Sequence, residues 1–143
     1  MVFAASHRRL VAPRRLRRRV AALKGKLLGA AGTAVFNDDD PVVRALAEGH
    51  AHGMPFSIER PLAAGYSISE GADGRWLARD GVPLLSSARL CLRGRHNEAN
   101  ALAALALCGS VVPIDAAVLE ALAAFPGLPH RCQWIRELDG VTN

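Results

Sequence analysis

The sequence predicts an α/β fold, and three observations lead to that prediction. A short apolar run at 33–36 is typical of a strand buried on both faces of a parallel sheet. An acidic turn and an amphipathic helix follow it directly, and two further helical segments lie later in the chain, at 97–108 and 113–125. Half of the 143 residues are hydrophobic, which is enough for one core and excludes a wholly disordered protein.

The turn after the first strand contains the signals of a helix start. Its residues, 37–41, are Asn-Asp-Asp-Asp-Pro. We expect Asp40 to cap the helix and Pro41 to occupy its first position, where the missing N–H costs nothing. The helix is predicted to extend to Gly53. Its apolar face would be formed by Val43, Leu46, Ala47 and His50.

Residues 54–95 predict a small antiparallel sheet. Apolar runs with partial alternation are separated by Asp-Gly pairs at 73–74 and 80–81, which supply the positive φ angles of tight hairpins. The predicted strands lie at 56–58, 66–68, 75–78, 82–85 and 89–93.

Two helices and a final strand are expected to follow this sheet. The first helix, at 97–108, is rich in Ala and Leu, and the second opens with Pro113 and Asp115. A loosely alternating segment at 131–138 is predicted to be the first strand of a hairpin. Its partner strand is expected to be missing, because the chain ends at Asn143.

The net charge of +5 is unevenly distributed along the chain. Residues 1–29 carry nine of the eighteen basic residues and no acid, so residues 30–143 carry the other nine with all thirteen acids. An arginine-rich head suits nucleic-acid phosphates, anionic lipid, a mitochondrial transit peptide, or a solvated tail, including one translated from a displaced frame or start. No aromatic residue interleaves the arginines, so base stacking is not indicated. We therefore predict that residues 1–29 form a disordered head that does not bind nucleic acid and is dispensable to the rest of the fold.

Simple counts exclude one class of protein and give little support to two others. No run approaches the roughly 18 consecutive apolar residues of a membrane-spanning helix, so a membrane-spanning protein is excluded. The basic N-terminus breaks repeatedly into arginine before any long apolar segment, so a secretory signal is poorly supported. The three cysteines, Cys91, Cys108 and Cys132, form no C-x-x-C pair. A disulfide scaffold or zinc ribbon is therefore not indicated, and reduced thiols in a cytoplasmic protein are expected.

Two groups of residues are candidates for ligand binding. Asn97 and Asn100 lie three apart, so a helix would place both on one face of its first turn, where carboxamides suit the edge of a purine base. Arg131 follows a Gly/Pro hinge at 127–129, from which a guanidinium could reach a phosphate. The structural alternatives are a helix cap for Asn97, a surface position for Asn100 and a salt bridge for Arg131. From pattern alone, these alternatives are favoured.

The chain resembles a known family over about residues 33–141. Residues 94–107, Gly-Arg-His-Asn-Glu-Ala-Asn followed by an Ala/Leu run, together with the Asn-Asp-Asp-Asp-Pro turn, resemble the Mur ligases of bacterial peptidoglycan synthesis. The segment 127–141, which begins Gly-Leu-Pro-His-Arg, resembles the D-glutamate-adding branch of that family.

The resemblance implies a domain organisation. Residues 30–127 would form the C-terminal half of the family's central ATPase domain, with a parallel strand, a helix, a small antiparallel sheet and two helices. Residues 128–143 would contain the first strand of a Rossmann-like C-terminal domain, and residues 1–29 match nothing in the family.

It also implies an activity and roles for the candidate residues. The complete family enzyme requires ATP and Mg²⁺ and adds D-glutamate to UDP-N-acetylmuramoyl-L-alanine in the cytoplasm, a step of cell-wall synthesis on which cell shape and division depend. ATP phosphorylates the substrate carboxylate, and the amine of D-glutamate attacks the acyl phosphate. Asn97 and Asn100 would hold the adenine of ATP, and Arg131 would contact its phosphates.

The departures from the family pattern lead us to expect an inactive fragment. A P-loop requires Gly-x-x-x-x-Gly-Lys-[Ser/Thr], and the stretch Gly25-Lys26-Leu27 lacks the hydroxyl and the first glycine. The family's metal-binding Glu and His and its modified lysine are also absent. We therefore assign no catalytic residue and no metal ligand, and expect no cofactor to bind tightly. The alternatives are a non-catalytic small protein whose cationic head binds nucleic acid or membrane, and a fragment of another Mur ligase.

Overall fold

Six strands form one sheet in sequence order. The computed structural model describes residues 2–4, 22–23, 25–27, 30–127, 137–138 and 141–142. The strands of this sheet are β1 (Val2–Ala4), β2 (Ala34–Asn37), β3 (Gly53–Ser57), β4 (Tyr66–Gly71), β5 (Gly74–Arg79) and β6 (Val82–Ser86). Among the described residues, the helices with defined bounds are α1 (Pro41–Ala47), α2 (Arg95–Gly109) and α3 (Ala116–Ala124). Residues 22–23 and 25–27 are also helical, and Ser87–Arg89 form a 3₁₀ turn. The predicted α/β class is confirmed.

The first four strands pair in parallel, and β4, β5 and β6 pair antiparallel. The two halves therefore form a single mixed sheet, joined at β4. We expected β3 to belong to a separate antiparallel sheet, and that prediction is wrong: β3 lies between β2 and β4, parallel to both. Its pairing with β2 joins residues about twenty positions apart, which local alternation does not encode.

The parallel half is covered on both faces. Ala34 and Phe36 of β2 pack with α1, whereas Val35 packs into the cluster that contains α2. Because successive strand residues point to opposite faces, α1 and α2 lie on opposite sides of the sheet. This agrees with the prediction of a strand buried on both faces, since Ala34 and Val35 are fully buried.

The main core lies between α2 and strands β2 to β4. Helix α2 contributes small and branched side chains, and the sheet contributes Tyr66, Leu77 and Leu85. The buried residues of α2 in this cluster are Ala101, Leu102, Ala103, Leu105 and Ala106. Alanines let the helix approach the sheet closely, so a core with few aromatic residues still packs.

The Asp-Gly turns lie where the sequence predicts them. Asp80 and Gly81 adopt φ angles of 51° and 80° between β5 and β6, and Gly74 adopts 116° after β4. Residues 89–93, in contrast, do not form the predicted strand. The main-chain N–H of Cys91 donates to the carbonyl of Ala123 at 2.9 Å, so this segment is held by α3 and not by the sheet.

Two helix boundaries also differ from the prediction. Helix α1 ends at Ala47, short of Gly53, because Gly49 turns the chain at φ 81° and Gly53 already begins β3. Helix α3 begins at Ala116, with Asp115 as its cap. The predicted cap of α1 is confirmed, since Asp40 accepts hydrogen bonds from the first turn of that helix.

The chain ends differ from expectation where they are described. Val2–Ala4 of the head form β1, which pairs in parallel with β2, although we expected a disordered segment at 1–29. Near the other end, β7 (Glu137–Leu138) pairs antiparallel with β8 (Val141–Thr142). The prediction of a hairpin without a partner strand is therefore wrong. In the described part of the chain, no helix is long and apolar enough to cross a membrane.

Candidate functional site

The N-terminus of α2 carries the candidate asparagines. Gly94 precedes the helix with φ 102°, a conformation that favours glycine, and its carbonyl accepts from the N–H groups of Asn97 and Glu98 at 2.9 and 3.0 Å. The side-chain amide of Asn97 donates to the carbonyl of Arg93 at 2.9 Å. The turn is thus closed on itself, and no side chain caps it.

Asn97 and Asn100 line the same pocket, which has a volume of about 130 Å³. Their spacing of three residues predicts a shared helical face, and the structure confirms this placement. The remaining lining residues are apolar: Leu90, Leu92, Ala101, Ala104, Leu122 and Phe125. An apolar cleft with two carboxamides suits a flat, partly polar ligand. Arg131, the third predicted site residue, lies outside the described residues.

The apolar walls of this pocket were not identified from the sequence. The sequence places Leu90 and Leu92 on a predicted strand, and Leu122 and Phe125 on the helix predicted at 113–125. In the structure, Phe125 is 46% exposed, which is high for a large aromatic residue. This exposed phenyl ring lines the same pocket as the two carboxamides.

A partly buried ion pair lies at the base of the same helix turn, with the Arg75 side chain 30% exposed. The carboxylate of Glu98 accepts from Nε and Nη2 of Arg75 at 3.1 and 2.9 Å, in a two-point contact between α2 and β5. The Glu98 side chain is only 9% exposed. The hydrogen bond to Glu98 is the main reason why the pKa of Arg75 is raised above its ordinary value. Glu98 also lines a second cavity of about 200 Å³, which shares Leu90 and Leu92 with the pocket.

The side chains of the acidic turn after β2 connect the carboxyl ends of β2 and β3. Asp39 accepts from the hydroxyl of Ser57 at 2.5 Å and from the N–H of Ile58 at 2.8 Å, at the end of β3. Asp38 forms an ion pair with Arg60. The turn is therefore joined to the end of β3 through both carboxylates.

The third carboxylate of the turn, that of Asp40, caps helix α1. Asp40 accepts from the N–H groups of Val42 and Val43 at 3.0 and 3.3 Å. All three aspartates thus have structural partners. Among the residues that the structure describes, no group of three or more His, Cys, Asp or Glu side chains is arranged to hold a metal ion.

An ion pair between exposed side chains connects the segment after β3 to the start of α2. Arg95 at the helix start pairs with Glu59, which follows β3, at 2.9 Å. The start of α2 therefore lies near the carboxyl end of β3. The carboxyl ends of parallel strands form the edge at which open α/β sheets bind ligands.

The largest described cavity, at about 410 Å³, lies at the other end of these strands. His50 lines it, but both of its ring nitrogens are engaged: Nε2 lies 3.0 Å from the carbonyl of Ala31, and Nδ1 accepts from the N–H of His52 at 3.2 Å. The two ring nitrogens of His50 are therefore occupied by the loops before β2 and β3.

Comparison with known proteins identifies relatives along most of the chain. No protein-family model matches it. It is 47% identical over 118 residues to the UDP-N-acetylmuramoylalanine--D-glutamate ligase of Nitrosococcus oceani, a match that covers 82% of this chain and 26% of that relative. The enzymes of the same name from Methylobacillus flagellatus and Pseudomonas aeruginosa are 42% and 40% identical, covering 85% and 83% of this chain and 27% of each relative.

These matches define the extent of the similarity. A match to 85% of 143 residues includes about 122 of them, so it begins no later than about residue 23. It therefore reaches into the segment 1–29, which the motifs alone did not match. The chain spans about a quarter of the length of the curated relatives it matches. As the motifs at 94–107 and 127–141 indicate, the chain is similar, over more than four-fifths of its length, to one stretch of the D-glutamate-adding Mur ligases.

Proposed function

We propose that the chain supplies the adenine-binding part of the ATP site of a UDP-N-acetylmuramoylalanine--D-glutamate ligase. The observation that carries this proposal is the placement of Asn97 and Asn100 on one apolar pocket at the start of α2. The names of the relatives support the kind of enzyme, since each is a ligase of this type.

The pocket's chemistry fits a purine base. The carboxamide of Asn100 offers one acceptor and two donors, and Asn97 retains its oxygen and one N–H beside its bond to Arg93. These groups match the alternating ring nitrogens and amino group at the edge of adenine. Leu92, Leu122 and Phe125 provide apolar surface for the ring faces. The exposed phenyl ring of Phe125 can stack on the base, a contact worth about 1–3 kcal/mol per base by alanine substitution in single-strand binders.

The rest of the nucleotide would extend toward the following domain. We assign residues 30–127 to the central ATPase domain and 128–143 to the start of the C-terminal domain. Arg131 would contact the phosphates when the two domains close, because its planar fork matches phosphate geometry. In the complete cytoplasmic enzyme, the substrates would be UDP-N-acetylmuramoyl-L-alanine and D-glutamate, and the product a precursor of peptidoglycan.

The described residues do not fit the Mg²⁺ ion that such an enzyme needs. Mg²⁺ prefers free carboxylate oxygens and waters in octahedral geometry. Asp38, Asp39 and Asp40 are engaged by Arg60, by Ser57 and Ile58, and by the first turn of α1. The Glu98 carboxylate is engaged by Arg75. We therefore derive no step through the metal from these residues.

For this reason we propose that the chain by itself does not form the peptide bond. Phosphoryl transfer depends on positioning the γ-phosphate and the metal, and no described residue is assigned to either task. The measurement is formation of UDP-N-acetylmuramoyl-L-alanyl-D-glutamate from ATP and the two substrates by the purified 143-residue chain. Product that depends on both ATP and D-glutamate would show that the chain contains a complete active site.

Binding of adenine nucleotides tests the proposed function directly. We expect ATP, ADP and AMP to bind the chain with similar Kd in calorimetry or NMR titration, because the contacts are to the base, and CTP to bind more weakly. Replacing Asn97 or Asn100 by Ala should weaken AMP binding by about 2- to 10-fold, the value of one hydrogen bond.

A matched control variant distinguishes loss of the base contact from general damage. Asp73→Ala removes an exposed polar side chain in the β4–β5 turn, away from the pocket, and should leave the AMP affinity unchanged. Equal binding of AMP and CTP, or equal affinity of all these variants, would contradict a base site at this pocket.

A further inference from the structure

Helix α2 begins without the cap that holds the other two helices. Asp40 caps α1 and Asp115 caps α3, in each case through a side-chain oxygen that accepts from first-turn N–H groups. Gly94 at the start of α2 provides no such side chain. The first turn of α2 is therefore oriented by side-chain contacts to other elements, together with the buried Ala101 and Leu102 that follow it.

Among the described contacts of that turn, the Glu98–Arg75 pair is the one with a buried partner, Glu98. Asn97 bonds only to Arg93 in the preceding residues, which does not tie the helix to another element. Arg95 and Glu59 form a pair in which both side chains are more than half exposed. Glu98, in contrast, is buried and receives two parallel hydrogen bonds from β5, a geometry that fixes direction as well as distance.

Stability alone gives little reason for a carboxylate buried in this way. Removing the Glu98 charge from water is costly, and apolar replacements of similar volume are often neutral or stabilising. The Arg75 side chain is 30% exposed and also pairs with the exposed Glu70 at 3.2 Å, so water partly screens its charge and the net gain from the pair is small. Its position offers another explanation, because Glu98 lies in sequence between the two asparagines that line the pocket.

A small rotation of the helix turn would matter to those asparagines. Side-chain ends lie about 5–6 Å from a helix axis, so a rotation of about 20° moves them by roughly 2 Å. Hydrogen bonds tolerate a donor–acceptor range of only about 0.5 Å. The orientation of the first turn therefore decides whether both carboxamides face a ligand in the pocket.

We propose that Arg75 and Glu98 are positioning residues of the pocket, which hold the first turn of α2 in the rotation that directs Asn97 and Asn100 toward a bound base. The pair touches no ligand itself. The identity of the ligand rests on the proposed function, whereas the orientation of the two asparagines does not.

The test replaces the pair by apolar residues, R75M/E98L, which leaves no unpaired buried charge. We expect this double variant to keep the helix content and melting temperature of the parent chain. Its AMP affinity should fall by about 10-fold, as two base contacts are weakened. In the ligand-free chain, the side-chain amide NMR signals of Asn97 and Asn100 should shift and broaden. R75K retains the charge but offers one contact point, so it should lower the affinity by a smaller factor, about 3-fold.

The matched control is R89M/E120L, since Arg89 and Glu120 form a two-point pair between side chains that are 53% and 64% exposed. This variant should change neither AMP affinity nor the asparagine signals. If R75M/E98L also leaves both unchanged, the pair is only structural and the proposal is wrong. If the parent chain does not bind AMP, the proposed function fails, and the asparagine signals alone decide the positioning role. If R75M/E98L does not fold, R75K decides by the same two measurements.

Discussion

A single carboxylate connects the ends of two neighbouring parallel strands. Asp39 follows β2 and accepts hydrogen bonds from Ser57 and Ile58 at the end of β3. Ser57 is fully buried, so its hydroxyl has no water to replace a lost partner. Asp39 therefore fixes the separation of the ends of β2 and β3.

We expect Asp39→Ala to lower the free energy of unfolding by about 1–3 kcal/mol, the cost of leaving buried donors unsatisfied. Urea unfolding followed by circular dichroism measures this change. Asp39→Asn keeps an oxygen acceptor and should cost less. The control Asp73→Ala removes an acceptor for the indole N–H of Trp76 at an exposed turn and should change stability by less than about 0.5 kcal/mol. Equal effects at the two positions would contradict a special role for Asp39.

Tyr66 gives the fold a dependence on alkaline pH. Burial is the main cause that raises the pKa of its phenol above 10.0, and Asp80 and Cys108 add to it, whereas Arg79, 5.5 Å from the ring centroid, opposes it. Above pH 10 the unfolded chain loses this proton while the folded chain still holds it. Stability is therefore fully present below pH 10 and falls as the pH rises through the folded-state pKa.

The expected result is a fall in unfolding free energy as the pH rises above about 10, and this fall should be smaller in Tyr66→Phe. Urea titrations at a series of pH values measure it. At pH 7, Tyr66→Phe should be about as stable as the parent, because the buried hydroxyl has no hydrogen-bond partner among the described residues. A parent and a variant with the same pH profile would show that Tyr66 is not the responsible group.

At the level of elements, a glycine allows α2 and β4 to approach closely. A Cβ atom at Gly109 would overlap the hydroxyl of Tyr66. Replacing a helical glycine by alanine normally stabilises a helix by about 1 kcal/mol. Here we expect the opposite sign, with Gly109→Ala lowering stability by about 1–3 kcal/mol through overpacking.

The double variant G109A/Y66F tests this cause. Removing the hydroxyl should restore most of the lost stability, which gives a strongly non-additive cycle in urea unfolding. If the effects of the two substitutions on stability are additive, the destabilisation by Gly109→Ala arises elsewhere at the end of the helix and not from overlap with the Tyr66 hydroxyl.

The elements that sequence predicts well are those with local signals. The start of α1 follows from Asp40 and Pro41, and the β4–β5–β6 hairpins follow from their Asp-Gly turns. The parallel pairing of β3 and the path of residues 89–93 depend on partners distant in sequence, so alternation alone gives the wrong result.

The same distinction applies to the candidate site. The three-residue spacing of Asn97 and Asn100 is a property of one helix, and their shared pocket follows from it. The apolar wall at Phe125 and the partner of Glu98 come from other elements. Arg75 lies 23 residues before Glu98, and no sequence pattern joins the two.

For the whole molecule, the parallel edge of the sheet depends on the basic head. Strand β1, within residues 1–29, pairs with β2 along Ala34 to Phe36, which are 0–8% exposed. Without β1, β2 would become an edge strand with unpaired N–H and C=O groups between two apolar faces. The expectation that the head is dispensable therefore conflicts with the sheet order.

We predict that a chain beginning at Ala30 is less stable and self-associates. Urea unfolding should show a lower midpoint, and light scattering coupled to gel filtration should show dimers or larger species at concentrations where the parent is monomeric, since a bare, flat, apolar edge pairs with another copy. A control chain in which the seven arginines of residues 8–19 are replaced by glutamine keeps Val2–Ala4 and separates the strand from the charge. It should behave as the parent does. If the shortened chain unfolds like the parent and remains monomeric, β1 contributes nothing to the sheet. If the glutamine variant associates instead, repulsion between the positively charged heads keeps the parent monomeric. Pairing of β1 with β2 is then not the cause.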